Sequence, residues 1–248
     1  MLTVSGLSVT VPGFALGPVD LRAAPGDFVS LIGPNGSGKS TLISAMLGLR
    51  RPDLGSSCWA GADLSRRNPR DLAAVAYVSD SSEDVLREFS AQEYWQYSRV
   101  VREDAIGRPL PHAMDRAAEI AHALDFPGAA RPLAQLSLGT RRKAQIVAAL
   151  MTDPEFVVLD EPFIGLDFLA ARALEQVLRG ICAAGTTVLS SSHDLDLASR
   201  ISTRALVLYA GRVCLNARVA DLGGHSMLEQ AVLDAIGRAR AGRLGADR

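Results

Sequence analysis

The string Gly33-Pro34-Asn35-Gly36-Ser37-Gly38-Lys39-Ser40 constrains this chain more than any other feature, because of what stands on either side of it. Before it, Phe28-Val29-Ser30-Leu31-Ile32 is a nearly continuous apolar run, as in a strand covered on both faces. After it, Ser40-Thr41-Leu42-Ile43-Ser44-Ala45-Met46-Leu47 is compatible with a helix. Strand, glycine-rich loop and helix in that order give the pattern G-x-x-x-x-G-K-[ST] its required context. The glycines let backbone N–H groups turn inward around a phosphate, and the helix N-terminus adds a favourable dipole. Lys39 supplies a point charge to the outer phosphates and the Ser40 hydroxyl can ligate Mg2+, while Pro34, Asn35, Ser37 and Thr41 complete the ligand-facing set. The competing reading is a glycine-rich turn with an exposed lysine. By itself the motif implies a nucleotide phosphate and names no family.

The surrounding chain has the pattern of an α/β protein. Leu7-Ser8-Val9-Thr10-Val11 alternates apolar and polar residues, Pro12-Gly13 interrupts it, and Val19-Asp20-Leu21-Arg22 alternates again. Buried-strand runs recur at Phe156–Leu159, Thr186–Ser190 and Ala205–Tyr209, which predicts a mainly parallel, three-layer core behind an antiparallel N-terminal β portion. Residues from about 84 to 151 lack such runs and carry helical spacing, with Ile120, Ala121 and Leu124 on one face of Met114–Leu124. We read this stretch as a helical subdomain inserted in a single 1–248 domain. Ala210-Gly211-Arg212 followed by Val213-Cys214-Leu215 predicts a hairpin, and the tail from Arg238, rich in Gly, Ala and Arg, is expected to fray.

Composition narrows the function classes. With 26 basic and 27 acidic residues the formal charge is −1, so the basic surplus usual in nucleic-acid-binding proteins is missing. Cys58, Cys182 and Cys214 lie far apart without a C-x-x-C pair, an arrangement that predicts reduced thiols and argues against structural zinc or a disulfide framework. Met1–Gly6 has no basic or long apolar leader, and no stretch approaches the roughly 20 apolar residues that cross a bilayer. The expectation is a cytoplasmic chain that spans nothing by itself.

Phe156-Val157-Val158-Leu159 ends in Asp160-Glu161, two carboxylates after an apolar strand. A buried Asp160 is costly unless it meets a cation, and Mg2+ shared with Ser40 is the natural partner. Glu161 is the candidate general base that polarises the attacking water. A helix cap is the alternative for paired acids in isolation.

Further strings carry a resemblance. Leu136-Ser137-Leu138-Gly139-Thr140 is similar to the signature LSGGQ of the ATP-binding cassette (ABC) family, with Leu138 and Thr140 in place of the third and fifth letters. Gly165-Leu166-Asp167 resembles the D-loop, and Ser192-His193-Asp194 resembles the switch-histidine segment, all in the family's order and spacing. The resemblance implies an ATPase that uses ATP and Mg2+ and acts as half of a machine. Ser137 and Gly139 would bind the γ-phosphate held by another subunit's phosphate loop, His193 would touch it from the opposite side, and Asp167 would bridge the dimer seam. It also implies two partners, a second nucleotide-binding subunit and a separate integral membrane permease, at the cytoplasmic face of the membrane.

Two departures stand out. Where the family has Pro-Gln, this chain has Ser79-Asp80, and we expect Asp80 to approach Mg2+ in place of Gln. The aromatic that usually stacks on adenine falls at or near Val11, with Phe14 close by. Phe89, Tyr94, Trp95 and Tyr97 crowd one short stretch, which in the family lies beside the groove for a membrane-subunit helix but is also a pattern for subdomain core. The signature variant and Asp80 resemble export-type bacterial members. An importer motor has the same chemistry, and a cassette acting on nucleic acid or the ribosome is the more distant alternative.

Overall fold

The fold follows from where the chain can hide its apolar runs. The computed structural model describes residues 1–81, 86–128 and 130–246. Strands β3 (Phe28–Ile32), β7 (Phe156–Leu159) and β8 (Thr187–Ser192) are buried along their whole length, so each needs a neighbour on both edges and a layer on both faces. A six-stranded sheet provides this, in the order β10-β9-β3-β8-β7-β6, with β6 (Val75–Val78), β9 (Arg204–Tyr209) and β10 (Arg212–Arg218). Every pairing in it is parallel except the β9–β10 hairpin at its edge. A second, antiparallel sheet runs β2-β1-β4-β5, from β1 (Leu2–Val11), β2 (Phe14–Ala23), β4 (Leu54–Trp59) and β5 (Ala62–Asp63).

Helix α1 (Lys39–Met46) buries Leu42, Ile43 and Met46 between the two sheets, in one apolar cluster with Leu7, Leu31, Phe156 and Leu189. Helix α2 (Pro69–Leu72) precedes β6. On the other side of the parallel sheet lie α3 (Ala91–Ile106), α4 (Ala113–Ala123), α5 (Leu138–Leu150) and α6 (Phe168–Ala183), packed through Ala117, Ile120, Leu124, Val147 and Leu178. Helices α7 (Leu195–Ile201) and α8 (His225–Ala246) close a third cluster against Ala205 and Val207. This is the three-layer α/β arrangement expected from the alternating runs, with α3, α4 and α5 between β6 and β7. No helix among the described residues is long and apolar enough to cross a membrane.

Helix starts follow local chemistry. Ser90 and Glu93 form a reciprocal capping box on α3, and the side chains of Ser137, Asp167 and Asp194 cap α5, α6 and α7. The aromatic stretch divides: Trp95 is core and donates to the Ala144 carbonyl at 3.0 Å, whereas Tyr97 is exposed and meets Phe89 edge-on at 6.1 Å. The tail corrects one expectation. Helix α8 runs on through Arg238 to Ala246, because the Ala and Arg of this segment are strong helix formers and its start is anchored by buried Leu228, Val232 and Ala235.

Parallel pairing fixes where chemistry can occur. The register sets Ile32 against Ser192, Leu159 against Ser190 and Val78 against Leu159. The residues that follow β3, β6, β7 and β8 therefore emerge at one edge, the carboxyl ends where open α/β sheets hold ligands.

Candidate active site

Four strand ends supply the site. Gly33 to Ser40 follow β3, Ser79-Asp80 follow β6, Asp160-Glu161 follow β7, and His193 follows β8. Asn35, Gly36, Ser37, Gly38, Lys39, Ser40 and Thr41 line a cleft of about 680 Å3 together with Asp80, Glu161 and His193. Val11 and Phe14 stand in its wall as well. The second sheet thus brings an aliphatic and an aromatic side chain to the phosphate loop.

The loop's shape demands its glycines. A Cβ on Gly33 would lie 2.3 Å from the Leu208 carbonyl, and one on Gly38, whose φ is +106°, would lie 2.8 Å from the Phe14 ring. Lys39 is buried, donates to the Gly33 carbonyl at 2.8 Å and lies 3.5 Å from Glu161 Oε1. Glu161 Oε2 is 3.0 Å from His193 Nδ1, and the Glu161 amide donates to the Ser191 hydroxyl at 2.8 Å. Lysine, carboxylate and imidazole therefore form one chain of contacts across the floor of the cleft. Paired in this way, Lys39 and Glu161 offset each other's charge.

Asp160 is fully buried. Its Oδ1 accepts from the Ser191 hydroxyl, while Oδ2 has no hydrogen-bond partner. Burial pushes its carboxyl above the ordinary range, against the hydroxyls of Ser191 and Ser40, and the charges of Asp80 and Glu161 push the same way. An orphaned buried carboxylate oxygen beside a serine hydroxyl is a fitting half-shell for a hard divalent cation, which favours oxygen ligands. No group of three His, Cys, Asp or Glu among the described residues could hold a metal alone. A cation here would share ligands with phosphate oxygens, as Mg2+ commonly does. Asp160 and Glu161 are followed by a turn and not by a helix, so the helix-cap alternative for this pair does not hold.

Ser137, Gly139 and Asp167 are not among the residues lining this cleft. Ser137 accepts from the Thr140 amide at 3.2 Å at the start of α5. A Cβ on Gly139 would lie 2.1 Å from the Gly165 carbonyl, so the first turn of α5 and the Gly165 turn touch backbone to backbone. Asp167 caps α6 through the Ala170 amide at 2.9 Å and faces Lys143 Nζ at 3.5 Å. Leu138, Ile164, Phe168 and Leu169 are exposed around them. Ser191, Arg142 and Lys143 gave no signal in the sequence, since each acts through a partner more than 20 residues away.

A larger groove of about 830 Å3 opens elsewhere, lined by Leu72, Ala76, Tyr94, Tyr97, Val101 and Ala148 among others. It contains no lysine or carboxylate among its described residues and so lacks the chemistry of the smaller cleft.

A glycine-rich loop between β3 and α1, with a buried lysine, a buried strand-end aspartate whose Oδ2 has no partner and a neighbouring glutamate, defines a P-loop nucleotide-binding fold. The sequence model of the ABC transporter family matches residues 16–164. A Streptomyces coelicolor protein provisionally described as an ABC transporter ATP-binding protein is 34% identical over 223 residues, covering 84% of this chain. The chain spans only 36% of that relative's length. A second protein from the same organism, with the same description, is 33% identical over 233 residues, covering 89% of this chain and 84% of its own length. Other relatives are named for opposite directions, a hemin import ATP-binding protein of Rhodopseudomonas palustris at 32% identity (84% of this chain, 82% of its own) and a Nod factor export ATP-binding protein of Rhizobium leguminosarum at 29% (93% and 72%). The solved ATP-binding subunit of an ABC transporter superposes with a TM-score of 0.81 at 27% identity, covering 94% of this chain and 99% of that one. This chain belongs to the ABC transporter family and is an ATP-binding, ATP-hydrolysing cassette of it.

Proposed function

We propose that this chain is the motor subunit of an exporter, closing on ATP together with a second cassette and driving a separate integral membrane permease from the cytoplasmic side. The observation that carries the reading is a division among the candidate phosphate-binding residues: Lys39, Glu161 and His193 line one cleft, whereas Ser137, Gly139 and Asp167 do not. Each nucleotide would then lie between the Gly33–Thr41 loop of one cassette and Ser137 and Gly139 of the other. Residues 1–248 are read as one such cassette, with the helices between β6 and β7 as its helical subdomain and the larger groove beside Tyr94 and Tyr97 as the permease-facing surface.

In this reading Lys39 leaves Glu161 for the β- and γ-phosphates, and the loop amides from Gly36 to Ser40 surround the same oxygens. Ser40, Asp160 and Asp80 would hold Mg2+, which when bound neutralises charge on those oxygens. Glu161, freed from the lysine, accepts a proton from the attacking water as its oxygen bonds to the γ-phosphorus and the bridging oxygen departs with ADP. His193 orients Glu161 through the 3.0 Å contact and reaches towards the γ-phosphate. Such positioning and electrostatic stabilisation carry most of phosphoryl-transfer catalysis.

Export rests on the Leu138 signature variant and on Asp80, and import is the second reading, favoured by relatives named for hemin and cobalt import. Light scattering on Glu161→Gln with saturating ATP tests the composite site. A stable dimer is expected. A strictly monomeric protein, alone and with its co-purified permease, would refute it. Transport assays in oriented vesicles of that complex decide direction.

A further inference from the structure

Asp80 stands in the wall of the nucleotide cleft, and what holds it there lies behind the wall. Asp80 is exposed and follows β6, and a residue so placed on a turn has no reason of its own to face the phosphate loop. The turn is gripped from behind. Arg142, 1% exposed in the second turn of α5, donates from Nη1 to the Ser79 carbonyl and from Nη2 to the Asp80 carbonyl at 2.5 Å. Gln145, one turn further on, donates to the Ser81 carbonyl at 3.2 Å, and the Ser79 hydroxyl donates to the same oxygen at 3.1 Å. Three consecutive carbonyls are thereby taken by α5 and by the turn's own serine. With its carbonyls drawn towards the helix, the turn presents Ser79 to the larger groove and the Asp80 side chain to the nucleotide cleft.

We infer that Arg142 is a positioning residue for the cation site: its guanidinium clamps the Ser79 and Asp80 carbonyls and so holds the Asp80 carboxylate towards the metal-nucleotide complex. The inference rests on the proposed role of Asp80. Three features support a positional function over simple filling of space. A guanidinium presents its donors in a rigid fork, which suits two adjacent carbonyls. Burying that charge is costly, and an apolar side chain would fill the space without the penalty. The helix that bears Arg142 is capped by Ser137 and carries Gly139 in its first turn, so the clamp joins the Asp80 turn to both residues. Groups that orient a metal ligand from behind typically change metal affinity about 10–100-fold when removed.

The test uses the purified full chain and a fluorescent ATP analogue titrated with and without Mg2+. Four variants are compared: Asp80→Ala, Arg142→Met, Arg142→Lys and Asp80→Ala/Arg142→Met. Asp80→Ala is expected to raise the Mg2+ concentration for half-maximal enhancement of nucleotide binding about tenfold. Arg142→Met should do the same while leaving metal-free affinity within about twofold, and the double variant should add nothing further. Arg142→Lys retains one charged donor that reaches one carbonyl, so it should fall between parent and Met, and it carries the test should the Met variant not fold. An unshifted Mg2+ requirement in the Arg142 variants, with Asp80→Ala shifted, overturns the clamp and leaves the role of Asp80 intact. An unshifted Asp80→Ala overturns both. Equal loss of metal-free and metal-dependent affinity in the Arg142 variants shows a general packing role and also overturns the inference.

Discussion

Replacing Glu161 by Gln separates two effects that the cleft ties together. The carboxylate lies 3.5 Å from Lys39 Nζ, and both side chains are largely buried. At an effective dielectric of about 20, opposite unit charges at that distance attract by roughly 5 kcal/mol. Most of this is offset by the desolvation of both groups. An incoming triphosphate must take Lys39 from that partner and then sit near the negative charge left behind. Gln keeps the volume and a hydrogen bond to His193 while removing the charge, so even a net relief of about 1.4 kcal/mol tightens nucleotide binding about tenfold. Hydrolysis should move the other way, falling about 10²–10⁴-fold with loss of the proton acceptor. Fluorescent-nucleotide titration gives the affinity and single-turnover phosphate release gives the chemical step. Hydrolysis at the parental rate would remove Glu161 from its role as base. Binding weakened severalfold would show that the Lys39–Glu161 pair organises the site for phosphate and does not compete with it.

Two further outcomes are expected. Gly139→Ala forces a Cβ to 2.1 Å from the Gly165 carbonyl, a backbone neighbour that cannot rotate away. Overpacking of this kind costs about 1–3 kcal/mol, and each kcal/mol lowers Tm by about 2–4 °C in a domain of this size. Calorimetry should find that drop, with nucleotide affinity of the isolated chain unchanged because Gly139 is outside the cleft; an undiminished Tm would contradict the close approach. Glu175 is buried, which by itself would raise its pKa, but hydrogen bonds from Arg179 and Arg200 outweigh burial and hold it below the usual 4.5. A lowered carboxyl pKa stabilises the fold fully above the unfolded value and loses that contribution as pH falls through the folded one. The Tm difference between the parent and Glu175→Gln should therefore be largest near neutrality and shrink as pH falls below the ordinary carboxyl value of 4.5; a difference independent of pH would show that the ion pairs do not account for it.

The sequence by itself determined the elements that carry chemistry locally. A glycine-rich loop between an apolar strand and a helix can be read because loop, charge and helix start are contiguous from Gly33 to Ser40. Asp160-Glu161 was readable for the same reason, as acids ending a buried run. The α/β layering follows from strand-length runs separated by helical spacing, whereas the helix through Arg238 to Ala246 does not, because the glycines of that segment read as breakers beside its Ala and Arg. Tertiary structure alone decided what is shared between distant segments. It set the strand order β3-β8-β7-β6 and its register, so that residues from 33 to 193 meet at one edge. It set Ser191 against Asp160, Arg142 behind Asp80 and Gly165 against Gly139. It also put Trp95 inside and Tyr97 outside, though both are aromatic and two residues apart. The physical reason is that a side chain's type fixes what it can donate, accept or bury, whereas which partner stands within about 3 Å is set by strand order and helix packing over the whole chain.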